Sequence, residues 1–208
     1  MELHLIIALV IFLFPLAYSP GPGNSFFAAI GATRGLKAAV PALVGYHVAT
    51  FAVTILIGMG FGLVLVSEPN FIRVLSIAGS LYVFYLAWLF LREALRTQTE
   101  GGSVGVVNGG VRFVDGAMIL LLNPKAYLII GLLFSQFLNT AENGLGQVVG
   151  ISAIFTANNL IAFAVWTLAG ASIARLFGKN GSGRGINAVF AACLFGVAVW
   201  MILPAFDL

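Results

Sequence analysis

Between Glu2 and Arg34 the chain contains no Asp, Glu, Lys or Arg, and nearly every residue is apolar. A continuous helix from Leu3 to Ala32 would exceed a ~30 Å hydrocarbon core by about half. Inside that stretch lies Ser19-Pro20-Gly21-Pro22-Gly23-Asn24. The prolines cannot donate backbone hydrogen bonds, and glycine is a poor helix former, so the helix is expected to open there. In a bilayer, opened backbone is tolerated only where protein covers it or where it lines a cavity.

The same apolar character recurs along all 208 residues, of which 61% are hydrophobic and 8% charged. A soluble domain carries about 25% charged residues. The sequence therefore predicts an all-α integral membrane protein with six transmembrane helices. These cover approximately 3–32, 40–66, 71–91, 113–138, 145–177 and 186–205. Pro41 is expected in the first turn of the second helix, and Gly58 and Gly62 allow close approach of a neighbour. The whole chain, 1–208, is read as one translocator domain. A polar connection over 93–112 divides it into halves, 1–92 and 113–208.

Basic residues set the expected orientation. Arg34, Lys37, Arg92, Arg96, Arg112, Arg175, Lys179 and Arg184 fall on one side of a six-span arrangement, and Arg73 on the other. The positive-inside rule makes the first group cytoplasmic and both termini periplasmic. A five-span count would reverse one terminus. The formal charge of +3 comes from dispersed residues, so no nucleic-acid partner is expected. The single Cys193 forms no internal disulfide. It is expected to face lipid or to be packed. With Glu2 in place of a basic n-region and no A-x-A-like stop after Tyr18, the N-terminal stretch is expected to be retained.

Each half begins with an interrupted span, at Pro20–Asn24 and at Asn123-Pro124-Lys125. Three spans per half would relate the halves as a 3+3 inverted-topology repeat, with broken helices 1 and 4 meeting near the midplane. Lys125 is expected roughly 20 Å into the core, where an unpaired charge costs about 2.5 to 3.5 kcal/mol. The acids Glu2, Glu68, Glu93, Glu100, Asp115, Glu142 and Asp207 all lie near segment ends. Lys125 is thus left with backbone carbonyls, amides, water or a substrate carboxylate. An early break at Pro124, with Lys125 reaching an interface, is the alternative.

The expected substrate-binding residues are Pro20, Gly21, Pro22, Gly23, Asn24, Asn123, Pro124, Lys125 and Asn159. The break at Pro20–Asn24 would offer free carbonyls to a substrate ammonium. Ser152, Thr156 and Asn159 share a face of the fifth helix at i, i+4, i+7, continued by Trp166, and either line a polar path or bond between helices. His47 is the proton-coupling candidate, set against a structural role. Tyr46, Tyr82, Tyr85 and Tyr127 are equally consistent with packing. Gly150-Ile151-Ser152 with a distant His47 implies no nucleophile arrangement, so no catalytic residue is assigned and no enzyme is expected. Metal-ligand spacing is absent, and no cofactor is expected.

S-P-G-P-G-N at 19–24, the Arg34-Gly35 turn leading to a helix containing Gly45, and L-L-N-P-K at 121–125 together resemble the LysE/RhtB-type amino-acid exporter family, over nearly the whole chain. The resemblance implies a multi-pass bacterial inner-membrane protein that exports amino acids or related metabolites, driven by protons, hence an antiporter. Pro20, Gly21, Pro22, Asn123, Pro124 and Lys125 match family motifs directly. Where members often carry Gly-Asp in the second helix, this chain has Ala49-Thr50. Without that acid, a small neutral zwitterion is the preferred substrate over a basic one. The implied partners are that amino acid, protons and the bilayer; a homo-oligomer is left open. A passive channel, a structural bundle and an ion or metal carrier are the rival readings.

Overall fold

A computed structural model describes residues 3–60, 68–95, 110–139, 144–177 and 183–206. Expectations placed on Glu2, Gly62, Arg96, Glu100, Glu142, Lys179 and Asp207, and on most of the connection 93–112, lie outside these residues. The described elements are α1 (Leu3–Tyr18), α2 (Pro22–Arg34), α3 (Leu36–Gly58), α4 (Pro69–Leu95), α5 (Phe113–Leu121), α6 (Pro124–Phe137), α7 (Gly144–Phe177) and α8 (Gly183–Ile202), followed by a 3-10 turn at Leu203–Ala205. No strand occurs among them. Helices α3, α4, α7 and α8 are each long and apolar enough to cross a membrane. The pairs α1–α2 and α5–α6 are bent by 65° and 64° at their breaks, and counting each as one span gives six. The protein is an all-α, multi-pass membrane protein.

Both breaks fall where proline removes donors. Pro22 and Pro124 each open a new helix, the position where a missing N–H costs nothing. Gly21 precedes the first in extended backbone. Asn123 caps the second, its side-chain oxygen accepting from Lys125 N at 3.1 Å. One boundary differs from expectation. The second long helix starts at Leu36 rather than near Val40, so Pro41 lies inside it. The cause is Gly35, whose φ of 79° turns the chain immediately after Arg34 and lets the next helix begin at once.

Glycine sets how closely the helices approach. A Cβ at Gly31 of α2 would run into the Thr167 carbonyl of α7, and one at Gly170 of α7 into the Ala28 carbonyl of α2. Gly45 of α3 and Gly116 of α5 make the same reciprocal contact with Phe113 and Ala42. Backbones therefore touch where α2 crosses α7 and where α3 crosses α5. By contrast, α3 meets α6 and the start of α7 through side chains, with Phe134 of α6 and Val148 of α7 over Gly58.

Two apolar clusters fill the interior. The larger joins α2, α3, α4, α5, α7 and α8 around Phe27, Leu43, Phe90, Leu120 and Leu194. The smaller joins α1, the end of α3, α6 and the start of α7 around Leu9, Leu13, Ile57, Leu133, Phe134 and Ile151. Outward positions such as Leu81, Trp88, Leu128, Val189 and Trp200 are apolar and exposed, as lipid-facing surface must be. Cys193 is among the exposed residues.

Candidate functional site

The two breaks face one another. Lys125, in the first turn of α6, extends its ammonium across to the end of α1. There Nζ donates to Ser19 Oγ at 2.7 Å and lies 3.4 and 3.5 Å from the Pro20 and Ser19 carbonyls. Its side chain is half-buried, and no carboxylate pairs with it among the described residues. A cation in apolar surroundings needs acceptors, and the opened backbone of the first break supplies them. The expected early break at Pro124 exists. Lys125 nevertheless turns inward to the opposite break.

The carbonyls expected to stand free for a substrate already hold donors. Asn24 Nδ2 donates to Ala17 O at 2.9 Å and to Ser19 O at 3.0 Å. Trp166 Nε1 reaches Tyr18 O at 3.2 Å, and Ser19 Oγ donates to Leu16 O at 3.0 Å. Buried carbonyls at a helix end must be satisfied, and these three side chains, with Lys125, satisfy them. Asn24 is therefore first a structural clamp on the break. Tyr127, which gave no signal beyond packing, has a matching role at the second break, donating to Leu121 O at 3.1 Å.

Between the breaks is a cavity of about 30 Å³, room for one or two waters. Gly21, Pro22, Gly23, Asn24, Asn123, Lys125 and Asn159 line its polar side. Leu16, Ile129, Phe155 and Phe163 line its apolar side. Of the sequence-predicted residues, Pro20 contributes its carbonyl at the mouth and Pro124 is buried behind Lys125. The cavity thus brings Asn159 of α7 together with both breaks.

Tyr46 also reaches the cavity, with its hydroxyl aimed between the Asn123 and Asn159 side chains. It is buried against Phe27 and Phe163, at ring distances of 6.1 and 4.5 Å. In sequence it is equally consistent with packing, because an aromatic on an apolar helix face carries no distinguishing pattern. Ser19 was visible only as the first residue of S-P-G-P-G-N. His47 stands one layer behind, its ring 5.6 Å from that of Phe163. Its Nδ1 is 2.6 Å from Leu43 O.

Chemically, the arrangement offers one cation, several orientable amides and two helix N-termini, those of α2 and α6. Such termini favour negative charge. Beside them is a small apolar wall. No group of His, Cys, Asp and Glu suited to a metal is found among the described residues.

Comparison with known proteins agrees with this architecture. The family model of LysE type translocator matches residues 14–204. The cysteine/O-acetylserine efflux protein of Escherichia coli K12 is 27% identical over 184 residues, covering 88% of this chain and 90% of that protein. The protein of the same name from Escherichia coli O157:H7 matches to the same extent. No solved structure matches. With a family match spanning nearly the whole chain, and broken helices around a cavity in an apolar bundle, the chain belongs to the LysE type translocators, a family of membrane transporters and not of enzymes.

Proposed function

We propose that the protein exports small neutral amino acids, or close derivatives, across the bacterial inner membrane, in exchange for protons. The observation that carries this reading is the Lys125 ammonium seated on the carbonyls and hydroxyl of the opposite break. An α-amino acid has a carboxylate to draw that ammonium away and an ammonium of its own to replace it. On binding, the carboxylate pairs with Lys125 beside the α6 N-terminus, and the substrate ammonium takes Ser19 Oγ and the Ser19 and Pro20 carbonyls. Asn123 and Asn159 orient the carboxylate, and Gly21 and Gly23 keep side chains out of its way. Pro20, Pro22 and Pro124 hold the two breaks open. Asn24 fixes the shape of the first.

The side-chain subsite is apolar and the cavity small, which favours a short uncharged side chain. The names of the relatives support that class, since cysteine and O-acetylserine are both small and neutral. Thr50 stands where the resemblance leads one to expect an acid, and its hydroxyl is turned back to Tyr46 O at 2.8 Å. No described buried acid is available to a second positive charge. His47 carries the coupling proton, and the two broken spans, related as an inverted repeat, rock around the cavity.

The test is gradient-driven transport of an amino-acid panel in proteoliposomes. Small neutral amino acids are expected to move against their gradient when a pH gradient is imposed. Equal, uncoupled flux of unrelated solutes overturns the exporter in favour of a channel. Lys125→Met is expected to lower transport about tenfold to a hundredfold, the worth of a hydrogen bond to a charged group. Wild-type transport by that variant removes Lys125 from the site.

A further inference from the structure

Helices α3 and α7 share a polar seam that the substrate cavity does not use. His47 lies against the backbone of Asn159, and a Cβ at Gly58 would stand 2.8 Å from Val148 Cγ1. These contacts lie eleven residues apart on both helices, 47 to 58 and 159 to 148, in opposite directions. The helices are therefore antiparallel and in register. Thr50 is level with Thr156, and Thr54 with Ser152.

The hydrogen-bonding capacities across the seam are complementary yet unmet. Thr50 and Thr54 are fully buried and have spent their only protons on the carbonyls of Tyr46 and Thr50, at 2.8 and 2.6 Å. Toward α7 they are acceptors. Ser152 Oγ and Thr156 Oγ1 are buried and without a partner, so their protons are unspent. Each orphaned hydroxyl costs about 1 to 3 kcal/mol, and buried orphans are normally met by ordered water. At the cavity end stands His47, 7% exposed. Leu43 O can only accept, so Nδ1 carries the ring proton, and Nε2, which faces the Asn159 backbone without a well-formed hydrogen bond, keeps a lone pair.

We propose that Thr50, Thr54, Ser152 and Thr156 hold a short file of water between α3 and α7, and that this file carries the coupling proton between the Gly58 end of α3 and His47 Nε2. An N–H bond forms at Nε2 as an O–H bond of the adjoining water breaks. The deficit passes along the file, and the reverse step returns the proton to water on the cavity side. Phe134 of α6 and Val148 of α7 close the file at Gly58. Because α6 also carries Lys125 in its first turn, movement of this helix on substrate binding would open or shut proton access. Among the described residues, the titratable side chains on α3 and the elements packed against it are Tyr46 and Lys37 of α3, Lys125 and Tyr127 of α6, Asp115 of α5, Arg34 of α2 and Arg175 of α7. Of these, Tyr46 and Lys125 line the cavity, one layer in front of His47. Asp115 is engaged with Arg112.

The inference rests on the reading of the protein as a proton-coupled exporter, and two assays separate them. Full-length protein is reconstituted in liposomes containing a pH-sensitive dye, with radiolabelled L-serine and L-cysteine as probes. Exchange of labelled for unlabelled amino acid needs the substrate site but no net proton movement. The double variant Ser152→Ala/Thr156→Val is expected to keep exchange within about twofold of wild type. Substrate-dependent proton flux and gradient-driven accumulation should fall about tenfold or more, the scale of losing a proton-transfer partner. Ser152→Thr/Thr156→Ser, which keeps both hydroxyls, should restore coupling. Wild-type coupling in the Ala/Val variant, or equal loss of exchange and coupling in both double variants, overturns the water file. Absence of exchange in wild-type protein instead overturns the exporter reading, and the file with it.

Discussion

Two side chains at the first break do different jobs, and single substitutions separate them. Asn24 donates twice, to Ala17 O and Ser19 O, and Lys125 is held by Ser19 and Pro20. Asn24→Leu keeps the volume but orphans both carbonyls toward that donor. Each unmet buried carbonyl costs about 1 to 3 kcal/mol, so thermal unfolding in detergent should shift down by several degrees. Lys125→Met should leave the unfolding temperature within a few degrees of wild type, because a half-buried cation pays nearly as much in desolvation as it gains. Transport falls in both, and only Asn24→Leu loses stability. A large stability loss with Lys125→Met would make that lysine a structural strut rather than a substrate ligand.

At the scale of elements, the crossings of α2 with α7 and α3 with α5 are fixed by glycine rather than by large side chains. Gly31→Ala should force α2 from α7, at a cost of about 1 to 3 kcal/mol or more, seen as lower yield of monodisperse protein. Gly196→Ala on α8 meets nothing within 4 Å and should be neutral or slightly stabilising. Equal behaviour of the two would mean that the close crossing is not structural. These elements also show what the sequence could and could not convey. Both breaks were legible, because proline and glycine act on their own backbone whatever surrounds them. The start of α3 was misplaced, since Gly35 permits a turn without requiring one. The path of Lys125 to Ser19 and the donors on the break carbonyls depend on partners far away in sequence. No local pattern encodes those contacts. The place of Tyr46 at the cavity is illegible in sequence for the same reason.

For the whole molecule, the distribution of charge against the apolar surface implies an orientation. Among the described residues, Arg34, Lys37, Arg92, Arg112, Arg175 and Arg184 stand at the ends of helices that a six-span arrangement puts on one side, and Arg73 stands at the other. By the positive-inside rule the first side is expected to be cytoplasmic. That orientation would put the Gly58 end of α3, where the proposed water file closes, toward the periplasm. An exporter that takes protons inward needs its proton access on that side, so orientation and mechanism are linked. Thiol labelling tests the link directly in a Cys193→Ala background. Glu68 and Lys37 are exposed, Glu68 just before the start of α4 and Lys37 in the first turn of α3. Glu68→Cys should react with a membrane-impermeant maleimide in intact cells, and Lys37→Cys only after permeabilisation. The reverse pattern would place the file's mouth in the cytoplasm and leave His47 without a periplasmic proton supply, which is incompatible with proton-driven export by this route.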